Sequence, residues 1–162
     1  MTFDAYLDIE TTGIWQAYAE LTVVGVALAD PQPYHFFQLI GDQITAENLL
    51  GILRPAGHIY TYNGARFDLP FIRAKVGLDL RSMFMHTDLM YHCWRRGLKG
   101  GLKAVERQLG IARQTADVDG RMAIELWWRY VRGGDTEALG LLLGYNREDV
   151  LNLYHLRCRL GL

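Results

Sequence analysis

The spacing of apolar positions changes along the chain, and each change marks a new element. Residues 3–9 alternate and are rich in strand formers, then break at Glu10-Thr11-Thr12-Gly13. Residues 20–28 are apolar almost throughout, which predicts a strand covered on both faces inside a sheet. A turn at Asp30-Pro31-Gln32-Pro33 leads into a third strand at 34–40, and links this short join antiparallel neighbours. The period then lengthens to that of a helix. Thr45 can cap a helix whose apolar face is Leu49, Leu50, Ile52 and Leu53. Asn48 stands where a capping box would have an acidic residue, and Pro55 with Gly57 ends the element. Residues 58–62 read as a short buried strand, 68–76 as a helix with Pro70 in its first turn, and 82–86 as another strand. Beyond them, helices are predicted at 88–95, 102–109, 120–132 and 136–160, punctuated by Gly97, Gly100-Gly101, Gly110 and Gly133-Gly134. Three strands in a row, then alternation, then helices, predict an α/β fold. Its single mixed sheet is antiparallel first and parallel afterwards, with helices on both faces.

Composition narrows the class without naming a reaction. The 162 residues suit one domain spanning 1–162, with no repeat, low-complexity tract or linker. Half the residues are hydrophobic (50%) and 22% are charged, an ordinary globular balance that excludes disorder, collagen-like structure and coiled coil. With 17 basic against 18 acidic residues the net charge is -1, which removes a basic surface as an argument for nucleic-acid binding. It leaves nucleic acid open as a substrate, because bound divalent cations can meet the phosphates instead. Two cysteines, Cys93 and Cys158, are too few for a disulfide framework and point to a reducing compartment. No stretch approaches the roughly 18 apolar residues of a membrane span, and the first residues carry no signal-peptide pattern. The expectation is a cytoplasmic protein with no membrane partner.

Three places carry carboxylates where elements end. Asp8 and Glu10 are two apart, so on a strand they share a face. Like charges about 6–7 Å apart on one face repel unless a cation lies between them; otherwise Asp8 faces solvent on an edge and Glu10 belongs to the turn. Asp68 follows a strand and a turn, and by itself reads first as the N-cap of the next helix. Tyr145 and Asp149 are four apart on a helix whose apolar stripe runs through Leu142, Val150, Leu153 and Leu156. Alone, that pair reads as a core tyrosine and a surface charge. Aimed at one opening, the four carboxylates form an oxygen-only set suited to magnesium or manganese rather than zinc.

The segments around these residues resemble a known family. Tyr-Leu-Asp-Ile-Glu-Thr-Thr-Gly at 6–13 is similar to the first motif of the DEDD superfamily, the DnaQ-like 3′–5′ exonucleases with the ribonuclease H-like fold. Tyr-Asn-Gly-Ala-Arg-Phe-Asp at 62–68 resembles the second motif, and Tyr-Asn-Arg-Glu-Asp-Val at 145–150 the third. The segment Gly101 to Gly110 resembles the helix that precedes the third motif. Gly144 stands where the histidine branch has its histidine and Tyr145 where the tyrosine (DEDDy) branch has its tyrosine, with YprB-like nucleases as the nearest group. The resemblance implies a metal-dependent exonuclease that releases nucleoside 5′-monophosphates from the 3′ end of single-stranded DNA or RNA, DNA favoured. Asp8 would bridge two divalent cations, Mg2+ or Mn2+. Glu10 and Asp149 would complete one ion site, Asp68 would hold the other ion through water, and Tyr145 would orient the attacking water.

Thr11, Thr12 and Asn63 are candidates for contacting the terminal nucleotide or for merely making their turns. Lys99 and Lys103 read first as a solvated helix face, Asp88 as a helix cap, and Trp94, Trp127 and Trp128 as core or interface. The competing functional class is a catalytically inactive, ribonuclease H-like nucleic-acid-binding module. The presence of all four carboxylates and the tyrosine opposes it.

Overall fold

The computed structural model describes residues 2–162, apart from the side chain of Tyr34. Its strands are β1 (Phe3–Thr11), β2 (Leu21–Ala29), β3 (Pro33–Ile40), β4 (Ala56–Thr61) and β5 (Met85–Asp88). They form one sheet in the order β3-β2-β1-β4-β5. Pairing is antiparallel from β3 through β2 to β1 and parallel from β1 through β4 to β5. The mixed sheet predicted from the order of elements is therefore present, with β1 at its centre. β2 is interior, as its unbroken apolar run requires.

The helices are α1 (Ala46–Leu53), α2 (Asp68–Val76), α3 (Leu80–Met83), α4 (Leu89–Arg95), α5 (Leu102–Leu109), α6 (Gly120–Gly133) and α7 (Thr136–Leu160). Thr45 caps α1 as expected, its Oγ1 accepting from the Asn48 backbone N–H at 3.1 Å. The strand expected at 82–86 is displaced. Residues 80–83 make a helical turn, and parallel pairing of His58 with Met85 through Thr61 with Asp88 sets β5 two to three residues later.

The alternation of β1 divides the molecule. Ala5, Leu7 and Ile9 enter a core with Leu49 and Leu53 of α1 and Leu69, Phe71 and Ile72 of α2. Tyr6 faces the other way, into a core with Leu89 and Cys93 of α4, Val105 of α5 and Val150, Leu153 and Leu156 of α7. Asp8 and Glu10 share the parity of Tyr6, so the strand's own pleat turns both carboxylates toward α7. A third cluster joins Val23 of β2 to α6 and α7 and buries Trp127, while Trp128 is half-buried with the Arg132 guanidinium 4.4 Å from its ring centre. The tryptophan pair is thus mostly core, and Trp94 is exposed. Among the described residues, no helix is long and apolar enough to cross a membrane.

Candidate active site

The two carboxylates of β1 meet the third from α7. Single oxygens of Asp8, Glu10 and Asp149 all lie within 4.8 Å of one another. Glu10 and Asp149 are buried and Asp8 is half-buried. The helical stripe that carries Asp149 continues through Leu142, Tyr145, Val150 and Leu153, all buried, so Tyr145 stands one turn before Asp149 on the same face. The reading of Asp149 as a surface charge fails for that reason.

Asp68 stands at the same end of the sheet but outside this tight group. It does not cap α2, because the N-cap position is Phe67 and no side chain caps the helix. Its Oδ1 instead accepts from the Ile9 backbone N–H, between the two carboxylates of β1, at 3.1 Å. Asp88 does cap its helix, accepting from Met90 N–H at 3.1 Å, and also accepts from the N–H groups of Asn63 and Ala65 at 2.8 and 3.0 Å. It thereby ties the loop before Asp68 to β5. Asn63 holds a left-handed backbone (φ 60°) in that loop. Thr11 Oγ1 donates to the Gly13 carbonyl at 2.7 Å, and Thr12 Oγ1 accepts from Glu20 N–H at 2.9 Å. The interactions of Thr11, Thr12 and Asn63 described here all hold turns.

The cluster is electrostatically uncomfortable as it stands. Burial, then the charge of Asp149, pushes the carboxyls of Asp8 and Glu10 well above their ordinary range. Burial raises Asp68 to about 7 against the lowering effect of the Ile9 N–H, and raises Asp149 to about 6 against the pull of Arg113. Burial and the surrounding carboxylates also push the Tyr145 hydroxyl upward. Glu10 Oε1 is buried with no hydrogen-bond partner. An unsatisfied buried acceptor is costly, and a set made only of oxygens suits a hard divalent cation. Asp8, Glu10 and Asp149 fit such an ion directly, and Asp68 stands in reach of the same strand.

Several side chains that frame the site were not legible beforehand. Asn146, fully buried, donates through Nδ2 to the Asp8 carbonyl and to Asp8 Oδ2, each at 3.2 Å, while its Oδ1 accepts from Gln38 Nε2 at 2.9 Å. The one signal in the sequence is its place beside Tyr145 on the inner face of α7. Glu106, Arg113 and Asn152 form a second buried set against Asp149. Glu106 left one sequence signal, an acidic residue beside Val105 on the inner face of an amphipathic helix. Arg113 left none, since it lies in an irregular loop. Lys103 is half-buried, its ammonium donating to the Ala116 carbonyl at 3.3 Å and lying 5.1 Å from the Tyr145 ring centre. Lys99 is exposed, 5.7 Å from the Trp94 ring centre. Beside the first motif, Ile14, Trp15 and Tyr18 stand 70%, 71% and 89% exposed on the loop between β1 and β2.

Solved structures share this architecture. The family B DNA polymerase of the hyperthermophilic archaeon Pyrobaculum calidifontis superposes with a TM-score of 0.74 at 16% identity, over 99% of this chain and 25% of the polymerase. This chain therefore spans about a quarter of that protein's length. A structure described as the apo form of a nuclease gives a TM-score of 0.63 at 22% identity, over 99% of this chain and 71% of the other. At these identities the likeness is one of fold. No curated protein matches the sequence. The profile of the RNase_H superfamily matches residues 5–160, nearly the whole length, and the chain belongs to that superfamily.

Proposed function

We propose that the chain is a single-domain, metal-dependent 3′–5′ exonuclease of the tyrosine branch, close to YprB-like nucleases. It hydrolyses phosphodiester bonds at the 3′ end of single-stranded nucleic acid, DNA in preference to RNA, and releases nucleoside 5′-monophosphates. The carrying observation is the convergence of Asp8, Glu10 and Asp149 within 4.8 Å, with the oxygen of Glu10 left unsatisfied. Two divalent cations, Mg2+ or Mn2+, supply when bound a Lewis acid for the phosphate and an activated water.

The chain's own groups divide the remaining work. Asp8, Glu10 and Asp149 hold the cations, and Asp68 supports the set through water from α2. Tyr145 stays protonated near neutral pH because its hydroxyl is pushed upward. It orients the attacking water by hydrogen bonding and does not act as a base. Lys103, half-buried beside Tyr145, offers a positive charge to the phosphate that the carboxylates would otherwise repel. Trp15 and Tyr18, exposed beside the first motif, offer faces on which unpaired bases stack. Thr11, Thr12 and Asn63 shape the backbone that receives the terminal nucleotide. A cytoplasmic setting belongs to the same reading and rests on the free thiols of Cys93 and Cys158.

Product analysis tests the proposal. With Mn2+ or Mg2+, a 3′-labelled single strand should yield labelled mononucleotide at once, and a chelator should abolish it. Release of internal oligonucleotides, or no hydrolysis of DNA or RNA with either ion, would overturn it.

A further inference from the structure

Arg113 is the cation that touches the carboxylate cluster, and its own charge is already spoken for. Its side chain is 5% exposed and that of Glu106 is 2% exposed. The guanidinium grips Glu106 with both ends of its fork, Nε to Oε2 at 2.6 Å and Nη2 to Oε1 at 2.7 Å. The same Nη2 donates to Oδ1 of Asp149. Asn152, one turn along α7 from Asp149, donates to Glu106 Oε1 at 3.1 Å and holds the far side of the pair. Glu148 Oε1 lies 3.9 Å from Arg113 Nη1 and is itself taken by the N–H and hydroxyl of Thr115 at 2.8 and 2.7 Å.

An unaccompanied arginine at this place would fix Asp149 but would also oppose any cation brought to the cluster. A guanidinium paired face to face with a buried carboxylate is different. The pair is neutral as a unit, yet it still presents a directed N–H to Asp149.

We propose that the Glu106–Arg113 pair is a charge-neutral clamp that orients Asp149 for a divalent cation without repelling it. Both residues are positioning residues, and the proposal rests on the metal-dependent reading above. Glu106 serves to cancel Arg113. Losing the Glu106 charge should therefore weaken metal binding, although Glu106 touches no cation. Removing both charges together should recover part of it, because the repulsion goes but the N–H to Asp149 goes with it.

The test is Mn2+ binding to the full chain by isothermal titration calorimetry at pH 7.5. Circular dichroism in chelator reports the fold of each variant. Glu106→Gln leaves Arg113 with only the more distant Glu148 as its own counter-charge, at 3.9 Å, and should weaken affinity about 10- to 100-fold, the range typical of residues that support metal ligands. Glu106→Gln combined with Arg113→Gln removes the repulsion but also the N–H that orients Asp149, and should bind more tightly than the single variant and more weakly than the wild type. Equal binding by wild type and Glu106→Gln would overturn the inference and leave the metal-dependent reading intact. Equal loss in the single and double variants would also overturn it, since that marks a contact needed only for structure. Should Glu106→Gln fail to fold, Glu106→Asp takes its place: a carboxylate that keeps the charge should hold affinity within about threefold of the wild type, and a loss of about tenfold or more refutes the clamp. Absence of Mn2+ binding by the wild type would remove the metal-dependent reading and this inference with it.

Discussion

Asn146 reaches from α7 across the sheet and donates to Asp8 twice, to its backbone carbonyl and to Oδ2, both at 3.2 Å. The contact depends on Gly25, the β2 partner of Asp8 in the antiparallel register. A methyl group at Gly25 would strike the Asn146 amide oxygen and come within 2.9 Å of a Val150 methyl. β2 thus carries a glycine where α7 must lie close enough to hold the first carboxylate. Gly25→Ala should cost about 1–3 kcal/mol of stability, an overpacking penalty. It should also lower nuclease activity beyond the loss of folded protein, because Asp8 loses its orienting donor. Denaturant unfolding alongside initial rates at a temperature where the variant is folded checks both; unchanged activity per folded molecule would contradict the second.

The carboxylate cluster makes stability depend on pH in an unusual direction. Asp68 at about 7 and Asp149 at about 6 lie above their unfolded values, and Asp8 and Glu10 are likewise raised well above theirs. A carboxyl raised on folding stabilises the protein while protonated, and that contribution is lost as pH rises through the folded value. In chelator, the melting temperature should therefore fall between pH 5 and pH 8, by about 2–4 °C for each kcal/mol lost. Saturating Mn2+ should remove the fall, because the ligands must be deprotonated to bind. Thermal melts with and without metal across that range decide it. A melting temperature that rises with pH in chelator would contradict the assignment of the cluster.

Asp8→Asn separates the chemistry from the fold. It removes one charge from a crowded set and keeps the shape, so the metal-free protein should be as stable as the wild type or more so. Hydrolysis should drop by at least about a thousandfold, a loss on the scale of removing a group at which transition-state charge develops. Melting curves in chelator next to rates in Mn2+ give the comparison. A strongly destabilised Asp8→Asn would mean that the carboxylate is structural.

The exposed loop between β1 and β2 should act on binding. Replacing Trp15 and Tyr18 by alanine together should raise KM for a single-stranded oligonucleotide about tenfold, or about 1.4 kcal/mol, the worth of roughly one stacked base at about 1–3 kcal/mol each. Hydrolysis of a small phosphodiester that offers no second base should not change. Equal KM values on the oligonucleotide would remove the loop from the substrate path.

Much of this was legible before any coordinates. Alternation placed β1, and the pleat alone turned Asp8 and Glu10 to one side. Spacing on a helix put Tyr145 beside Asp149. Local patterns stopped where the decision was tertiary. Whether Asp68 caps its helix or binds the Ile9 amide depends on how α2 meets β1, and cap propensity is blind to that. The one-turn helix at Leu80–Met83 was missed because so short an element has no period, and pairing with β4 placed β5 beyond it. The clamp on Asp149 joins residues 106, 113, 149 and 152 from a helix, a loop and a second helix, and no window of sequence contains them.

In the proposed function Asp8 and Tyr145 serve one hydrolytic site working from the 3′ end. The most direct test is degradation of a 5′-labelled single-stranded oligonucleotide, as DNA and as RNA, with Mn2+ or Mg2+, by wild type, Asp8→Ala and Tyr145→Phe. The expected result is a ladder that shortens from the 3′ end, faster on DNA. It should be absent in Asp8→Ala and slowed about 100-fold in Tyr145→Phe, the low end of what a positioned proton-transfer group contributes, because Tyr145 orients the water without taking its proton. A ladder that persists in Asp8→Ala, or its absence in the wild type on both substrates with both ions, would contradict it.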